Sequence, residues 1–284
     1  MKPVIKRVIL VVNLMKDGAS ALAEEVRAYL EEEGIEVRLH SFKGKPESFD
    51  FSGADLAVSL GGDGTVLYCA REIYGFGTPI LAVNLGNFGF ITEVSRDEWK
   101  DAFSEYREGR LSLSERLLVT LTLQRQEEEM YHLVGLNDIV INNQGLSKLI
   151  RFRVYCNGTP IGVYRADGII LATPTGSTAY SAAAGGPILS PEMDAFILNP
   201  ICPFTLSNRP LVVPGNSSIE IELDLDQKTA ILLTVDGQDT LSLLPGDRIQ
   251  VRRALKKALI IRSDKRNFYE VLRSKLNWTG GPDA

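Results

Sequence analysis

Two hydrophobic rhythms divide the chain. In the first hundred residues, short continuous apolar runs alternate with helical periodicity. Val8–Val12 and Leu56–Leu60 are runs of the kind that make strands buried on both faces. Ile35–Leu39 and Pro79–Asn84 read as further strands. Between the first two lies Ala21–Glu33, with Leu22, Val26, Tyr29 and Leu30 on one helical face and Gly34 as its stop. Val66–Ala70 starts a second helix with Thr65 near its cap, and Arg96–Glu108 reads as a third. Strands alternating with helices predict a parallel α/β sheet.

Beyond residue 100 the rhythm shortens. Arg116–Gln124, Leu133–Ile141, Lys148–Cys156, Ile161–Val163, Leu211–Val213, Ser218–Leu225, Ala230–Val235, Arg248–Arg252 and Ala258–Ile261 read as closely spaced strands. Asn157-Gly158 is a hairpin signal, and Glu127–Glu129 reads as a solvated turn. Close strands with few helices predict an antiparallel β-sandwich. The expected organisation is an α/β domain over 1–100 and a sandwich over 101–264. A last helix, Phe268–Leu276 within about 265–278, is expected to return to the first domain.

Composition narrows the class. The 284 residues carry a net charge of −5, which leaves no basic footprint for nucleic acid. No apolar run approaches the ~18 residues of a membrane span. The start, Met1–Arg7, enters a strand without a signal-peptide cleavage region. Cys69, Cys156 and Cys202 are few and scattered, and each reads as a buried small hydrophobe. Together these features favour the cytoplasm. With His40 and His132 the only histidines, and neither in a motif, a Ser-His-Asp hydrolase or a histidine-rich metal site is disfavoured.

The chemistry concentrates in a few stretches. Leu60-Gly61-Gly62-Asp63-Gly64-Thr65 joins a strand to a helix, and three glycines there permit positive φ and close approach of a ligand to the main chain. The N–H groups of a helix start suit phosphate. Asp63 would repel that phosphate, so it either bonds locally in a tight turn or holds a metal, binds a hydroxyl or takes a proton from one. The Asn84–Gly89 loop lies at the same strand ends, where α/β sheets bind ligands. Asn137-Asp138 interrupts an apolar strand, at a bulge or facing a hydroxyl- or amine-rich ligand. Thr173-Pro174-Thr175-Gly176-Ser177-Thr178-Ala179-Tyr180-Ser181 crowds hydroxyls into a turn, as caps for Ala182–Ala184 or as phosphate or sugar ligands. Asp236-Gly237-Gln238 reads most simply as a turn.

Taken in order, Gly61–Thr65, Asn84-x-Gly86-x-x-Gly89-Phe90, Asn137-Asp138, Thr173–Tyr180 and Asp236-Gly237-Gln238 resemble the NAD kinase family over nearly the whole chain. Phe88 stands where Leu is more usual, and no lipid-kinase-like Gly-Thr-Gly-Asn segment follows the first motif. The resemblance implies transfer of a phosphoryl group from ATP, or from polyphosphate, to the 2′-hydroxyl of the adenosine ribose of NAD. It implies Asp63 as general base, with Gly64 against the same group and Gly61, Gly62, Gly64 and Thr65 as the phosphate-binding loop. It places Asn137 and Asp138 on adenine and ribose, and Thr178, Ala179, Tyr180, Ser181, Ala182 and Ala183 along the dinucleotide. Lys148, Arg165, Asp167 and Gln238 align as further NAD contacts. It also implies a divalent metal, Mg²⁺, with no ligands identified, and a homodimer or homotetramer with the NAD site near a subunit interface. A lipid or sugar kinase of the same superfold, or a dinucleotide sensor without turnover, are the competing readings.

Overall fold

The computed structural model describes residues 2–86, 89–145, 149–205 and 207–276. The chain divides into two compact units, Met1–Glu115 with Lys257–Ala284, and Arg116–Lys256. In the first unit the elements run β1 (Arg7–Asn13), α1 (Ala19–Glu32), β2 (Glu36–Phe42), β3 (Leu56–Gly61), α2 (Asp63–Ile73), β4 (Ile80–Asn84), the short β5 (Val94–Ser95), α3 (Trp99–Arg107) and β6 (Leu113–Arg116). The second unit follows with β7 (Val119–Arg125), β8 (Glu128–Gly135), β9 (Asp138–Asn143), β10 (Ile150–Cys156), β11 (Thr159–Ala166), β12 (Gly168–Ala172), α4 (Tyr180–Ala183), β13 (Ala195–Ile201), β14 (Leu211–Pro214), β15 (Ile219–Leu223), β16 (Ile231–Val235), β17 (Asp239–Leu243) and β18 (Arg248–Arg253). The chain then returns to the first unit with β19 (Ala258–Ile261) and α5 (Phe268–Leu276).

The first unit is built on a sheet of order β2-β1-β3-β4-β19-β6, with β5 beside β4. Its pairs β1–β2, β1–β3, β3–β4 and β4–β19 are parallel. Every residue of β3 and β4 is buried, which is why these strands are continuous apolar runs. Leu22, Val26 and Leu30 of α1 and Trp99 and Phe103 of α3 share one core with Val8, Leu10, Val58 and Val83 of the sheet. Gly61 pairs with Asn84, and Leu85 N–H donates to the Gly61 carbonyl at 2.9 Å. The carboxyl ends of β3 and β4 therefore lie side by side.

The second unit is two six-stranded antiparallel sheets, β11-β10-β15-β18-β7-β8 and β14-β13-β12-β9-β16-β17. Leu121, Phe152, Ile221 and Val251 of one sheet share a core with Ile141, Leu171, Phe196 and Leu233 of the other, so the two pack as a sandwich. Asn157 and Gly158 take φ of 51° and 76°, the positive values that a two-residue hairpin turn needs.

Several expectations are corrected. The junctions fall at 115/116 and 256/257 rather than near 100 and 264. The first moves because α3 and β6 belong to the α/β core and sheet. The second moves because Ala258–Ile261, expected in the sandwich, pairs parallel with β4. Leu133–Ile141 is two strands, since the chain leaves one sheet at Gly135 and enters the other at Asp138. Cys202, expected to be buried, is exposed with φ of 44°, at the end of β13. The strands β5, β6, β12, β13 and β17 are additional to the expected ones.

After β19 the chain is pinned to the α/β unit. The Arg266 guanidinium donates to both oxygens of Glu98, at 2.6 and 3.0 Å, and to the Glu93 carbonyl at 3.1 Å. Those Arg266 bonds hold the Glu98 carboxyl down at about 2. A folded value below the unfolded one means stability present above about pH 4.5 and lost as pH falls toward 2. Glu98→Gln is therefore expected to melt at lower temperature than the parent at neutral pH, with the gap closing between pH 4.5 and 2. Melting curves across that range check it, and a gap that does not change with pH contradicts it.

Candidate functional site

In the α/β unit, α2 begins at Asp63, with Gly62 extended as its cap, so Thr65 sits inside the first turn rather than at the cap. Gly61, Gly62 and Gly64 do not adopt positive φ. The requirement for glycine is one of contact. A Cβ on Gly61 would lie 2.1 Å from the Thr65 hydroxyl oxygen, and one on Gly89 would lie 1.7 Å from Asp63 Oδ1. The Asp63 carboxylate is the centre of this half. Phe90 N–H donates to Oδ2 at 2.8 Å. Ile91 N–H, Thr92 N–H and the Thr92 hydroxyl donate to Oδ1 at 3.2, 3.2 and 3.1 Å. A carboxylate offers about four lone-pair sites, so Oδ1 is saturated and Oδ2 keeps one position open. Beside it, Asn84 Oδ1 accepts the Gly86 N–H at 2.8 Å, while its buried Nδ2 and the buried Thr65 hydroxyl have no protein partner. Buried polar atoms without partners are costly and mark places where a ligand can supply the missing bond.

In the sandwich unit the break between β8 and β9 is the counterpart. Asp236 sits at the tip of the β16–β17 hairpin with φ of 52°, followed by Gly237 at 65°. Its carboxylate accepts the N–H groups of Leu136, Asn137 and Asp138 at 2.9, 2.7 and 3.1 Å. The Thr173 hydroxyl donates to the Leu136 carbonyl, and Thr173 N–H donates to the Asn137 carbonyl at 2.8 Å. Gly176 packs so closely that a Cβ would meet the Asn137 carbonyl oxygen at 2.0 Å. The Asn137-Asp138 pair is thus clamped from two directions. Asn137 Oδ1 and the Thr175 hydroxyl are buried without a protein partner. Asp138 is buried, and its carboxyl is pushed up to about 7 by burial first and by the Asp236 charge second. Near neutral pH it is divided between a hydrogen-bond donor and an acceptor.

The expected residues fall into separate places. Asp63, Gly61, Gly62, Gly64 and Thr65 gather at the β3–α2 turn. Asn137 and Asp138 meet the Thr173–Gly176 turn. Thr178 ends a short 3₁₀ turn, and Ala179 leads into α4, which carries Tyr180, Ser181, Ala182 and Ala183. Ser181 is buried and Tyr180 exposed. Asn199 of β13 holds α4 by donating to the Ser181 and Ala184 carbonyls. Gln238 follows Asp236, and its N–H donates to the Val235 carbonyl at 2.9 Å. Arg165 and Asp167 stand apart. They lie at the Gly168 end of β12, whereas Asp138 pairs with Ala172 at the other end. From Asp167 to Thr173 the strand spans roughly 20 Å. The Arg165 guanidinium packs over the Phe204 ring and lines an open cavity of about 680 Å³ with Arg151, Asp224 and Lys228. Lys148, Asn87 and Phe88 lie outside the described residues.

Asp236, Thr173, Thr92 and Asn199 have structural roles in these sites that the motif reading did not assign. For Asn199 a signal existed, a lone amide inside the apolar run Ala195–Ile201. Asp236 stands in a segment that fits the family resemblance, but its local pattern gives no sign of this role, because Asp-Gly is what any tight hairpin uses. Among the described residues no group of three or more His, Cys, Asp or Glu is placed to hold a metal ion.

The described residues thus hold a glycine-cradled carboxylate in a parallel α/β unit and a clamped Asn-Asp pair in an antiparallel sandwich. Comparison with known proteins gives the family. Residues 41–111 match the ATP-NAD kinase N-terminal domain family, and residues 136–263 match the ATP-NAD kinase C-terminal domain family. The chain is 40% identical to the NAD kinase of Treponema denticola over 276 residues, 97% of each chain. It is 44% identical to that of Magnetococcus marinus over 226 residues, 80% of this chain and 74% of the other. Yeast NADH kinase, solved with NADH, superposes with a TM-score of 0.87 at 25% identity, over 98% of this chain and 89% of the other. The NAD kinase of Archaeoglobus fulgidus, solved with ATP, gives 0.77 at 25% identity, over 96% and 100%. The chain belongs to the NAD kinase family.

Two outcomes follow from this geometry. Gly89→Ala places a methyl group inside the Asp63 carboxylate and is expected to abolish its contacts with residues 90–92, destabilising the α/β unit by about 1–3 kcal/mol, the usual cost of overpacking. Urea unfolding measures this, and a parent-like midpoint contradicts it. For Asp138 the folded value lies above the unfolded 3.8, so the stability it confers is complete below about pH 3.8 and is lost as pH rises through about 7. Asp138→Asn is expected to gain stability relative to the parent between those values and to keep a constant difference above them. Melting temperatures from pH 4 to 8 test it, and a pH-independent difference counts against it.

Proposed function

We propose that this protein transfers the γ-phosphoryl group of ATP to the 2′-hydroxyl of the adenosine ribose of NAD, forming NADP, with Asp63 as the general base. The observation that carries the reading is the Asp63 carboxylate, held by four donors yet with a lone-pair position left on Oδ2. A ribose hydroxyl is a weak nucleophile, and a fixed carboxylate that accepts its proton as the new O–P bond forms and ADP departs relieves that weakness. The turn Gly61–Thr65 would cradle the phosphates of ATP with its main-chain N–H groups. Polyphosphate presents the same chemistry to such a turn and is a second candidate donor.

The sandwich unit would hold NAD. Asn137 Oδ1, buried and unpartnered, suits an amine donor such as that of adenine. Asp138 can donate or accept toward adenine and ribose, and Thr178, Ala179, Tyr180, Ser181, Ala182 and Ala183 would line the dinucleotide, with Gln238 beside them. Arg165 and Asp167 lie at the far end of β12 from this set. They therefore fit a site completed by a second copy of the chain, in a homodimer or homotetramer. We assign Lys148 to the same NAD-binding set on the family resemblance alone. Magnesium would enter with the nucleotide, held by its phosphates and water, since it commonly takes one or two carboxylates at most from protein. Its role is to offset phosphate charge, and no protein ligand is assigned to it. The protein's setting would be the cytoplasm, and no described helix is long and apolar enough to cross a membrane.

Incubation with ATP, Mg²⁺ and NAD, with NADP read by an NADP-specific dehydrogenase, tests the reaction. Asp63→Asn is expected to lower kcat by about 10²–10⁴ with little change in the KM for NAD. Parent-like turnover in that variant would remove the base assignment. NAD binding without NADP formation would favour a sensor.

A further inference from the structure

We infer that Thr92 is a positioning residue for Asp63, its hydroxyl proton fixing the carboxylate so that Oδ2 faces the acceptor hydroxyl. The inference rests on the proposed role of Asp63 and extends it to a residue outside the motif. Thr92 is fully buried. Its Oγ1 lies 3.0 Å from the Gly89 nitrogen and 3.1 Å from Asp63 Oδ1. The Gly89 N–H can only donate, so the hydroxyl accepts there. Its own proton then goes to Asp63 Oδ1. The relay Gly89 N–H to Thr92 O–H to Asp63 has one direction.

This relay decides what the carboxylate can do. The other donors to Asp63 are backbone N–H groups of residues 90–92. Thr92 supplies the side-chain donor in this cradle. The terminal torsion of an aspartate is broad and two-fold, so its angle is set by neighbours rather than by an intrinsic well. The two backbone bonds to Oδ1, at 3.2 Å each, lie at the long end of the N–H···O range and hold it loosely. The hydroxyl adds a third donor to Oδ1 and also accepts from Gly89, where a Cβ would overlap the carboxylate. Loss of the hydroxyl would leave the Gly89 N–H without its acceptor and allow the carboxylate to turn. A turn that moves Oδ2 off the line of proton transfer affects the chemical step, while the NAD contacts assigned to the sandwich unit are untouched.

The test compares Thr92→Val, Thr92→Ser and Thr92→Ala, with Thr92→Val also combined with Asp63→Asn. Thr92→Val is expected to lower kcat by about tenfold to a hundredfold, the scale of a small misplacement, with the KM for NAD unchanged. Thr92→Ser, which keeps the hydroxyl, is expected to restore most of kcat. In the Asp63→Asn background Thr92→Val is expected to cause no further loss, as residues acting through one another are not additive. Parent-like kcat in Thr92→Val, an equal loss in Thr92→Ser and Thr92→Ala, or a full multiplicative loss on top of Asp63→Asn overturns the inference. If Thr92→Val does not fold, as judged by melting, the Ser and Ala variants carry the comparison, since they differ only in the hydroxyl. A slow Asp63→Asn beside a fast Thr92→Val sinks the positioning role alone. A fast Asp63→Asn sinks the base reading and this inference with it.

Discussion

The α/β half of this protein depends on one carboxylate meeting a loop 27 to 29 residues further along the chain. Asp63 stands in the first turn of a helix, where negative charge is favoured by the helix dipole. There it collects four donors from residues 90–92. Charge-assisted bonds of this kind contribute about 1.5–3 kcal/mol each when both partners are desolvated, and they offset the cost of taking the carboxylate partly out of water. The rest of the turn follows from that meeting. Gly61 and Gly89 must lack a Cβ because Thr65 and Asp63 occupy its place. The side-by-side ends of β3 and β4 are what bring the two loops within reach.

The sandwich half uses the same device with the roles exchanged. Here the break in the strand pattern supplies the N–H groups, and the acid comes from a hairpin tip about a hundred residues away. A strand that leaves one sheet for the other exposes donors that neither ladder can satisfy. Asp236 takes three of them. Its charge then acts on the buried Asp138 nearby, which with desolvation keeps that group from ionising fully at neutral pH. One side chain therefore both satisfies the donors of the crossover and adds its charge to the burial that raises the Asp138 carboxyl.

Much of the architecture was legible without coordinates. Buried parallel strands must be apolar on both faces, so β1, β3 and β4 announce themselves as runs. Asn157-Gly158 marks its hairpin because few residue pairs tolerate two positive φ values. Less legible was the sheet to which a strand belongs. Ala258–Ile261 has the composition of a sandwich strand, and its place beside β4 is a matter of long-range pairing that local pattern does not encode. Leu133–Ile141 looked like one strand since both halves are apolar and the switch between sheets costs only two residues.

The sequence by itself determined the classes of element, the two-part organisation, the family, and the motifs on which chemistry would rest, because those follow from periodicity and from residue types at short spacing. Tertiary structure alone decided why Gly61 and Gly89 are glycine, that Asp63 is bound by Thr92, and that Asp236 rather than a neighbour holds Asn137-Asp138 in place. Each of these is a contact between segments far apart in the chain. Local propensity has no term for such a contact, and only the packed sheets bring its partners to hydrogen-bonding distance.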